Sequence, residues 1–166
     1  MAHTAEKIDD PERAVTRLME CLVIAFALDE AAGAFTLITD CPDKAPGADR
    51  SFLALCFGGV RDFRREAGGR AELQQFRDAY RIGAVAGASV VQAVRSTAAA
   101  DHRVFELWLG PGFGGISFTY RALAGSMRHA RAEARGGTWI YRDARSGEEF
   151  DFTEPFADLM PCAAGR

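Results

Sequence analysis

The feature that most constrains this chain is a two-residue period in its apolar side chains, repeated in several short runs. Residues 89–97 and 115–123 follow this period, which extended backbone imposes. Residues 103–109 are predicted to form a further strand, and so are residues 51–57, where Leu53, Leu55 and Phe57 fall on one face and Phe52, Ala54 and Cys56 on the other. Most connections between the runs are short, whereas parallel strands need crossovers of a dozen or more residues. We therefore predict an α+β fold, mainly an antiparallel β-sheet or sandwich, with about two helices.

Two segments carry helix signals. Asp10, Pro11 and Glu12 form a helix start, with a capping side chain, proline in the first turn and an early acid. A second helix is predicted over residues 71–82. Its apolar side is formed by Leu73, Phe76 and Tyr80.

Two further segments are ambiguous. Residues 21–28 are apolar on both faces, so periodicity does not separate a buried strand from a helix. The turn-like residues 29–33 and the β-rich residues 34–40 that follow favour a β-hairpin there. Residues 125–135 fit either an extended strand or a short basic helix, and the sequence leaves that choice open.

Glycines punctuate the strand runs. The pair at 58–59 interrupts one run and predicts a bulge that changes which face points inward. The stretch 110–115 lacks the helix and lysine of a phosphate-binding loop, so we interpret it as a strand connection whose glycines take positive φ angles. Residues 139–143 are predicted to pair with 149–152 across a tight turn.

Length and charge limit the function classes. The chain has 166 residues and a formal net charge of −3, which predicts a single domain over 1–166 with frayed tails at 1–9 and 156–166. So small a charge gives no reason to expect a polyanionic partner. The longest apolar run, 22–28, is far too short to cross a membrane.

The cysteines give a first expectation about location. They are Cys21, Cys41, Cys56 and Cys162, with no C-x-x-C pair among them. Because the first residues show no apolar secretory core, we expect a cytoplasmic protein with reduced thiols.

No motif demands a particular chemistry. His3, His102 and His129 are far apart in the sequence and show no paired metal-ligand spacing. No G-x-S-x-G nucleophile motif occurs. We therefore expect no catalytic, metal or cofactor residues and favour a function other than catalysis.

Arginines and aromatic residues instead mark a candidate binding surface. They interleave in the C-terminal third, a mixture that favours a protein partner over nucleic acid in a chain of acidic net charge. The predicted partner-binding residues are Phe113, Tyr120, Arg121, Arg128, Arg131 and Trp139.

Three phrases carry a resemblance to a protein class. They are Phe57–Phe63, Phe105–Gly110 and the stretch from Trp139 to Phe152 that contains Asp143 and Gly147. In order of elements, residues 50–152 resemble the small β-rich immunity proteins of bacterial polymorphic toxin systems. The resemblance implies a protein partner, a toxin, but no particular contact residues, since such families place their contacts at variable positions.

Three functions remain as hypotheses. The first is a protein-binding domain of the immunity type, without catalytic activity. The second is a small enzyme or ligand-binding sandwich whose pocket is assembled from distant residues. The third is a structural or oligomeric module that pairs with copies of itself through its sheet edges.

Overall fold

A computed structural model describes residues 5–43, 45–67, 90–110 and 113–150. Every pairing of its strands is antiparallel, which confirms the predicted β-rich class. The described residues include one short α-helix with an adjoining 3₁₀ turn. The second predicted helix, at 71–82, lies outside the described residues.

The elements follow the chain in this order: β1 Glu6–Lys7, α1 Pro11–Val15, a 3₁₀ turn Thr16–Leu18, β2 Leu22–Asp29, β3 Ala34–Pro42, β4 Arg50–Gly58, β5 Arg61–Ala67, β6 Ala93–Ala98, β7 Arg103–Trp108, β8 Gly114–Tyr120, β9 Ala122–Arg135, β10 Thr138–Asp143 and β11 Glu149–Phe150.

Helix α1 begins where the sequence predicts. The Asp10 side chain accepts a hydrogen bond from the Arg13 backbone N–H at 3.1 Å, so a donor left over at the helix start is satisfied. The helix gives way to the 3₁₀ turn, and the Cys21 N–H then bonds the Leu18 carbonyl at 3.0 Å as the chain turns towards β2. Strands β2 and β3 form the predicted hairpin.

The larger sheet has the strand order β11-β10-β9-β4-β3-β2, and β1 pairs with β9 outside this path. The ambiguous segment 125–135 belongs to β9, a strand of 14 residues. Its first part pairs with β4 and its second part with β10, so β9 is long because it serves two neighbours in turn.

The smaller sheet has the order β5-β8-β7-β6, and the chain passes between the two sheets from β4 to β5 and from β8 to β9. Pairing of β4 with β9 ends at Gly58 and Ala122, and pairing of β5 with β8 starts at Arg61. Gly59 sits between them with a φ of 65°, and a Cβ there would lie 3.2 Å from the Arg121 Cβ. A register shift follows in β5, as the predicted bulge requires.

The opposite side of the sandwich is joined by backbone hydrogen bonds. The Glu20 N–H donates to the Val91 carbonyl at 3.0 Å, and the Val91 N–H donates to the Cys21 carbonyl at 2.9 Å.

In the connection between β7 and β8, Gly110 and Gly114 have φ angles of 88° and 76°. The interpretation of this stretch as a strand connection is therefore confirmed.

Aromatic rings fill the space between the two sheets. The Phe57 ring lies 4.8 Å from that of Phe105, 5.0 Å from Phe118 and 4.9 Å from Tyr120, measured between centroids. A second cluster lies on the outer face of the larger sheet, where Phe52 packs edge-on against Phe150.

A polar network fastens α1 to the smaller sheet. The buried Tyr120 hydroxyl donates to a Glu12 carboxylate oxygen at 2.8 Å and lies 2.7 Å from the Ser96 hydroxyl. Arg103 Nε donates to Ser96 Oγ at 3.0 Å. Burial raises the pKa of Tyr120 above its usual 10.0, so the phenol stays protonated and holds the network.

The expectation of reduced thiols is wrong for Cys21 and Cys41, which form a disulfide. Pairing of β2 with β3 brings their Cα atoms to 4.5 Å, within the range that a disulfide spans. Cys56 is a free thiol, and Cys162 lies outside the described residues.

Candidate functional site

The end of the β9–β10 hairpin projects beyond the rest of the larger sheet. From Glu133 onward, β9 pairs only with β10 within the described residues. Gly136 and Gly137 form the turn with φ angles of 56° and 81°, a conformation that favours glycine, and a Cβ added at either would meet no described residue within 4 Å beyond its chain neighbours. We call residues 133–140 the hairpin tip.

Trp139 is the prominent side chain of the hairpin tip. It is 42% exposed, and Ala134, also exposed, is its cross-strand partner on the same face. Only one other large apolar side chain in the described part of the chain is exposed, Met19 at 46%. An indole held in water on a projecting strand is the kind of group that a partner surface buries.

The opposite face of the hairpin tip and its surroundings is charged. Arg135 contacts Glu149 at 3.3 Å, and Arg142 contacts Glu133 at 3.3 Å and Glu149 at 3.8 Å. These pairs are exposed, so each contributes little to stability. Their effect is to keep one face of the hairpin well solvated and leave the Trp139 face as the apolar one.

A buried ion pair fixes the base of the hairpin. Arg128 is only 7% exposed, its Nε lies 2.8 Å from Asp143, and its guanidinium lies 3.8 Å from the centroid of the Phe150 ring. Burial would raise the pKa of Asp143, but hydrogen bonds from Ser146, Arg128 and Arg145, with the charge of Arg128, lower it to about 2. Asp143 is therefore ionised and holds both Arg128 and the following turn.

The structure separates the six residues predicted to bind a partner. Of these six residues, only Trp139 lies on the hairpin tip, where it is exposed. Tyr120 is buried in the core network, and Arg128 is buried at the hairpin base, so neither side chain offers a free surface. The alternation of β-strands places Arg131 on the face opposite Trp139, where its guanidinium bonds the Gly47 carbonyl.

The remaining two residues lie elsewhere. Arg121 precedes β9 and pairs with Asp101 at 3.0 Å. It is roughly 40 Å along the strand from the hairpin tip, at about 3.3 Å per residue. Phe113 packs partly against the core between the sheets. The sequence does not show these separations, because residues from the same third of the chain need not lie on the same surface of the fold.

A second surface, on the outer face of the smaller sheet, was missed by the sequence reasoning. It is a groove of about 730 Å³ in which Trp108 lies against Gly115, where a Cβ would be 3.1 Å from its ring. Arg95 and Glu106 form an ion pair at 2.5 Å across it. The sequence did contain a signal for this surface. Phe105 and Leu107 of β7 point inward, so the alternation of the strand places Trp108 on the outer face.

Among the described residues, no cluster of three potential metal-ligating side chains occurs. His102 lies 2.8 Å from Asp101, and that hydrogen bond is the main reason why the pKa of Asp101 is lowered.

No helix in the described residues is long and apolar enough to cross a membrane.

Comparison with protein-family models, with curated proteins and with solved structures finds no match to this chain. The interpretation of its surfaces therefore depends on their own chemistry.

Proposed function

We propose that this chain is a protein-binding domain of the immunity type, which neutralises a toxin by covering part of its surface. The observation that carries the proposal is Trp139, an exposed indole on a projecting hairpin whose base is fixed. Tryptophan and arginine are the residues that most often dominate binding energy at protein interfaces. A rigid base matters because binding then costs little conformational entropy.

Packing of the interior supports a surface function over an internal ligand site. The rings of Phe57, Phe105 and Phe118 lie in contact between the sheets, in the position that a ligand would need. A binding function is therefore better served by the outer surfaces.

Strand β5, at one edge of the smaller sheet among the described residues, argues against pairing of two copies through that edge. Five of its seven residues are charged, namely Arg61, Asp62, Arg64, Arg65 and Glu66. Charged residues on an edge strand oppose pairing with another strand. We therefore rank a toxin partner above a second copy of this chain.

The test pairs this chain with the protein encoded by the neighbouring gene, taken as the toxin candidate. Titration calorimetry of the purified pair should give a stable complex, and Trp139→Ala should weaken it about 30-fold, the effect of losing about 2 kcal/mol at a hot spot. Met19→Ala is the matched control, since it removes the other exposed apolar side chain and should leave the affinity unchanged. Absence of a complex with that protein, or equal losses for both variants, would count against the proposal.

The proposal includes a cytoplasmic location, and the Cys21–Cys41 pair tests it. Disulfides are rare in the cytosol, so the disulfide in the structure argues against a cytoplasmic location. Cells lysed directly into an alkylating reagent would report the native redox state by mass spectrometry. Alkylated thiols at both positions support the cytoplasm, whereas an intact disulfide places the protein in an oxidising compartment.

A further inference from the structure

Three neighbouring strands of the larger sheet place polar side chains in one row on its inner face. Cys41 of β3 is paired with Ser51 of β4, and Ser51 is paired with His129 of β9. Directly paired residues point to the same face with Cβ atoms about 4.5–5.5 Å apart. The Ser51 and His129 side chains therefore lie next to each other on this face, with no hydrogen bond joining the hydroxyl to the imidazole in the structure.

An acid contacts the histidine of this row. Asp43, which follows β3, bonds His129 Nδ1 through its Oδ2. Its other oxygen, Oδ1, accepts the Ala45 N–H at 2.9 Å, and its own N–H donates to the Asp49 carbonyl at 3.0 Å. The loop thus fixes the carboxylate, and an imidazole that donates from Nδ1 keeps Nε2 free to act as a base.

Ser51 is buried, at 4% exposed, and its side chain has no hydrogen-bond partner in the described part of the chain. Buried hydroxyls are nearly always bonded, so an unpaired one calls for an explanation. Ser51 lines a surface groove of about 690 Å³ between α1 and the larger sheet, and apolar side chains form much of the wall. They include Ile8, Ala14, Leu53 and Met127.

We propose that Ser51, His129 and Asp43 form a catalytic triad that hydrolyses small carboxylic esters with an apolar acyl group. Serine is the nucleophile, His129 is the base, and Asp43 is a positioning residue. The proposal is independent of the hairpin tip and of the partner suggested for it. It assigns a chemical role to the groove, to the unpaired hydroxyl and to the Asp43–His129 contact.

The reaction balances with water as the second reactant. Ser51 Oγ forms a bond to the acyl carbon while its proton passes to His129 Nε2, and the bond from that carbon to the alcohol oxygen breaks as His129 returns the proton to the leaving alcohol. Water then attacks the acyl-serine, with His129 first accepting its proton and then giving it to Ser51. Arg13 and Arg17 line the same groove and supply positive charge for the developing oxyanion.

The groove also defines the substrate class. Its apolar wall suits an acyl chain, and Cys41, on the other side of Ser51, is held in the disulfide, so its sulfur does not compete as a nucleophile. The probes are therefore p-nitrophenyl butyrate as substrate and an alkyl fluorophosphonate as a covalent label. The label forms a bond from Ser51 Oγ to phosphorus and releases fluoride, with the proton taken by His129.

The decisive measurement is labelling of the full chain, followed by intact mass and peptide mapping. We expect one label per chain at Ser51, none in Ser51→Ala, and labelling at least about a hundredfold slower in His129→Gln. Asp43→Asn should slow labelling of the folded protein, and Asp43→Glu, which keeps a carboxylate for His129, should restore part of the rate. A purely structural role of Asp43 would not separate these two variants.

Ser117→Ala, which removes a hydroxyl from the outer face of the smaller sheet, is the matched control and should label like wild type. Trp139→Ala should also label normally, so failure at the hairpin tip and failure at this groove are separable. Folding of each variant is checked by circular dichroism. Absence of label at Ser51 in folded wild-type protein, or equal rates in wild type and His129→Gln, would overturn the proposal.

Discussion

The inner face of the larger sheet has two halves, built from the same strands β3, β4 and β9 but different in chemistry. In the half beneath the smaller sheet, Phe35 and Phe57 pack with Phe118 in a cluster without charge. In the other half, Ser51 lines the groove, and His129 of β9 is its cross-strand neighbour. Because β-strands continue through both halves, the packed half holds the polar half in place. Strands therefore hold the serine and the histidine of the site, and a loop holds only its acid, Asp43.

The largest expected effect concerns the packed half. Phe118→Ala removes a ring that contacts Phe35, Phe57 and Phe105, and it should lower the free energy of unfolding by about 3–5 kcal/mol. Urea denaturation followed by circular dichroism measures this. A loss below about 1 kcal/mol would show that the interior is loosely packed, and the contrast between the halves would disappear.

Much of the packed half could be predicted from the sequence, because a two-residue period is local. Leu53, Leu55 and Phe57 were assigned to one face by position alone, and the structure places all three in the same cluster. The polar half was not predicted, because Asp43 and His129 are 86 residues apart and meet only through the order β9-β4-β3. The disulfide was not predicted for the same reason, because strand pairing, and not sequence spacing, brings Cys21 next to Cys41.

The second effect concerns the covalent link of the polar half. Changing both Cys21 and Cys41 to Ala removes a crosslink between residues 20 apart in sequence, which should cost about 3 kcal/mol. Reduction of the wild-type protein with dithiothreitol should give a similar loss in urea denaturation. Cys56→Ala, which removes the free thiol and keeps the crosslink, is the control and should lose stability in the reductant as the wild type does. Equal stability with and without reductant would mean that the polar half is held by its hydrogen bonds and packing alone.

A third effect comes from the ion pair behind the polar half, on the outer face. Asp143 has a pKa of about 2 against a usual 3.8, so its ionised form stabilises the fold by about 2 kcal/mol above pH 4. Because the folded-state pKa is the lower one, this contribution is lost as the pH falls from about 4 through 2. Asp143→Asn should therefore be less stable than wild type at pH 7, with the difference shrinking towards pH 2.

Denaturation at a series of pH values measures that difference. Asp101→Asn provides the comparison, because Asp101 is exposed and its ion pair should contribute little. The turn held by Asp143 also places the Ala144 N–H 3.0 Å from the His129 carbonyl. Loss of the ion pair should thus slow fluorophosphonate labelling of Ser51. A constant difference between Asp143→Asn and wild type from pH 7 to pH 2 would show that this carboxylate does not gain its stability from ionisation.

The smallest expected effect is the one that distinguishes the two halves most clearly. Ser51→Ala removes a buried hydroxyl that has no hydrogen bond in the described residues, so its free energy of unfolding should change by less than about 0.5 kcal/mol or rise. Thr39→Ala is the matched control, since Thr39 lies two residues before Cys41 on β3 and on the same face. Its hydroxyl lies 3.5 Å from the Cys41 sulfur, so its removal should lower the free energy of unfolding. A large loss for Ser51→Ala would mean that this hydroxyl supports the fold, and the groove would then lose its nucleophile. Unchanged stability with complete loss of labelling is the combination that only a reactive serine explains.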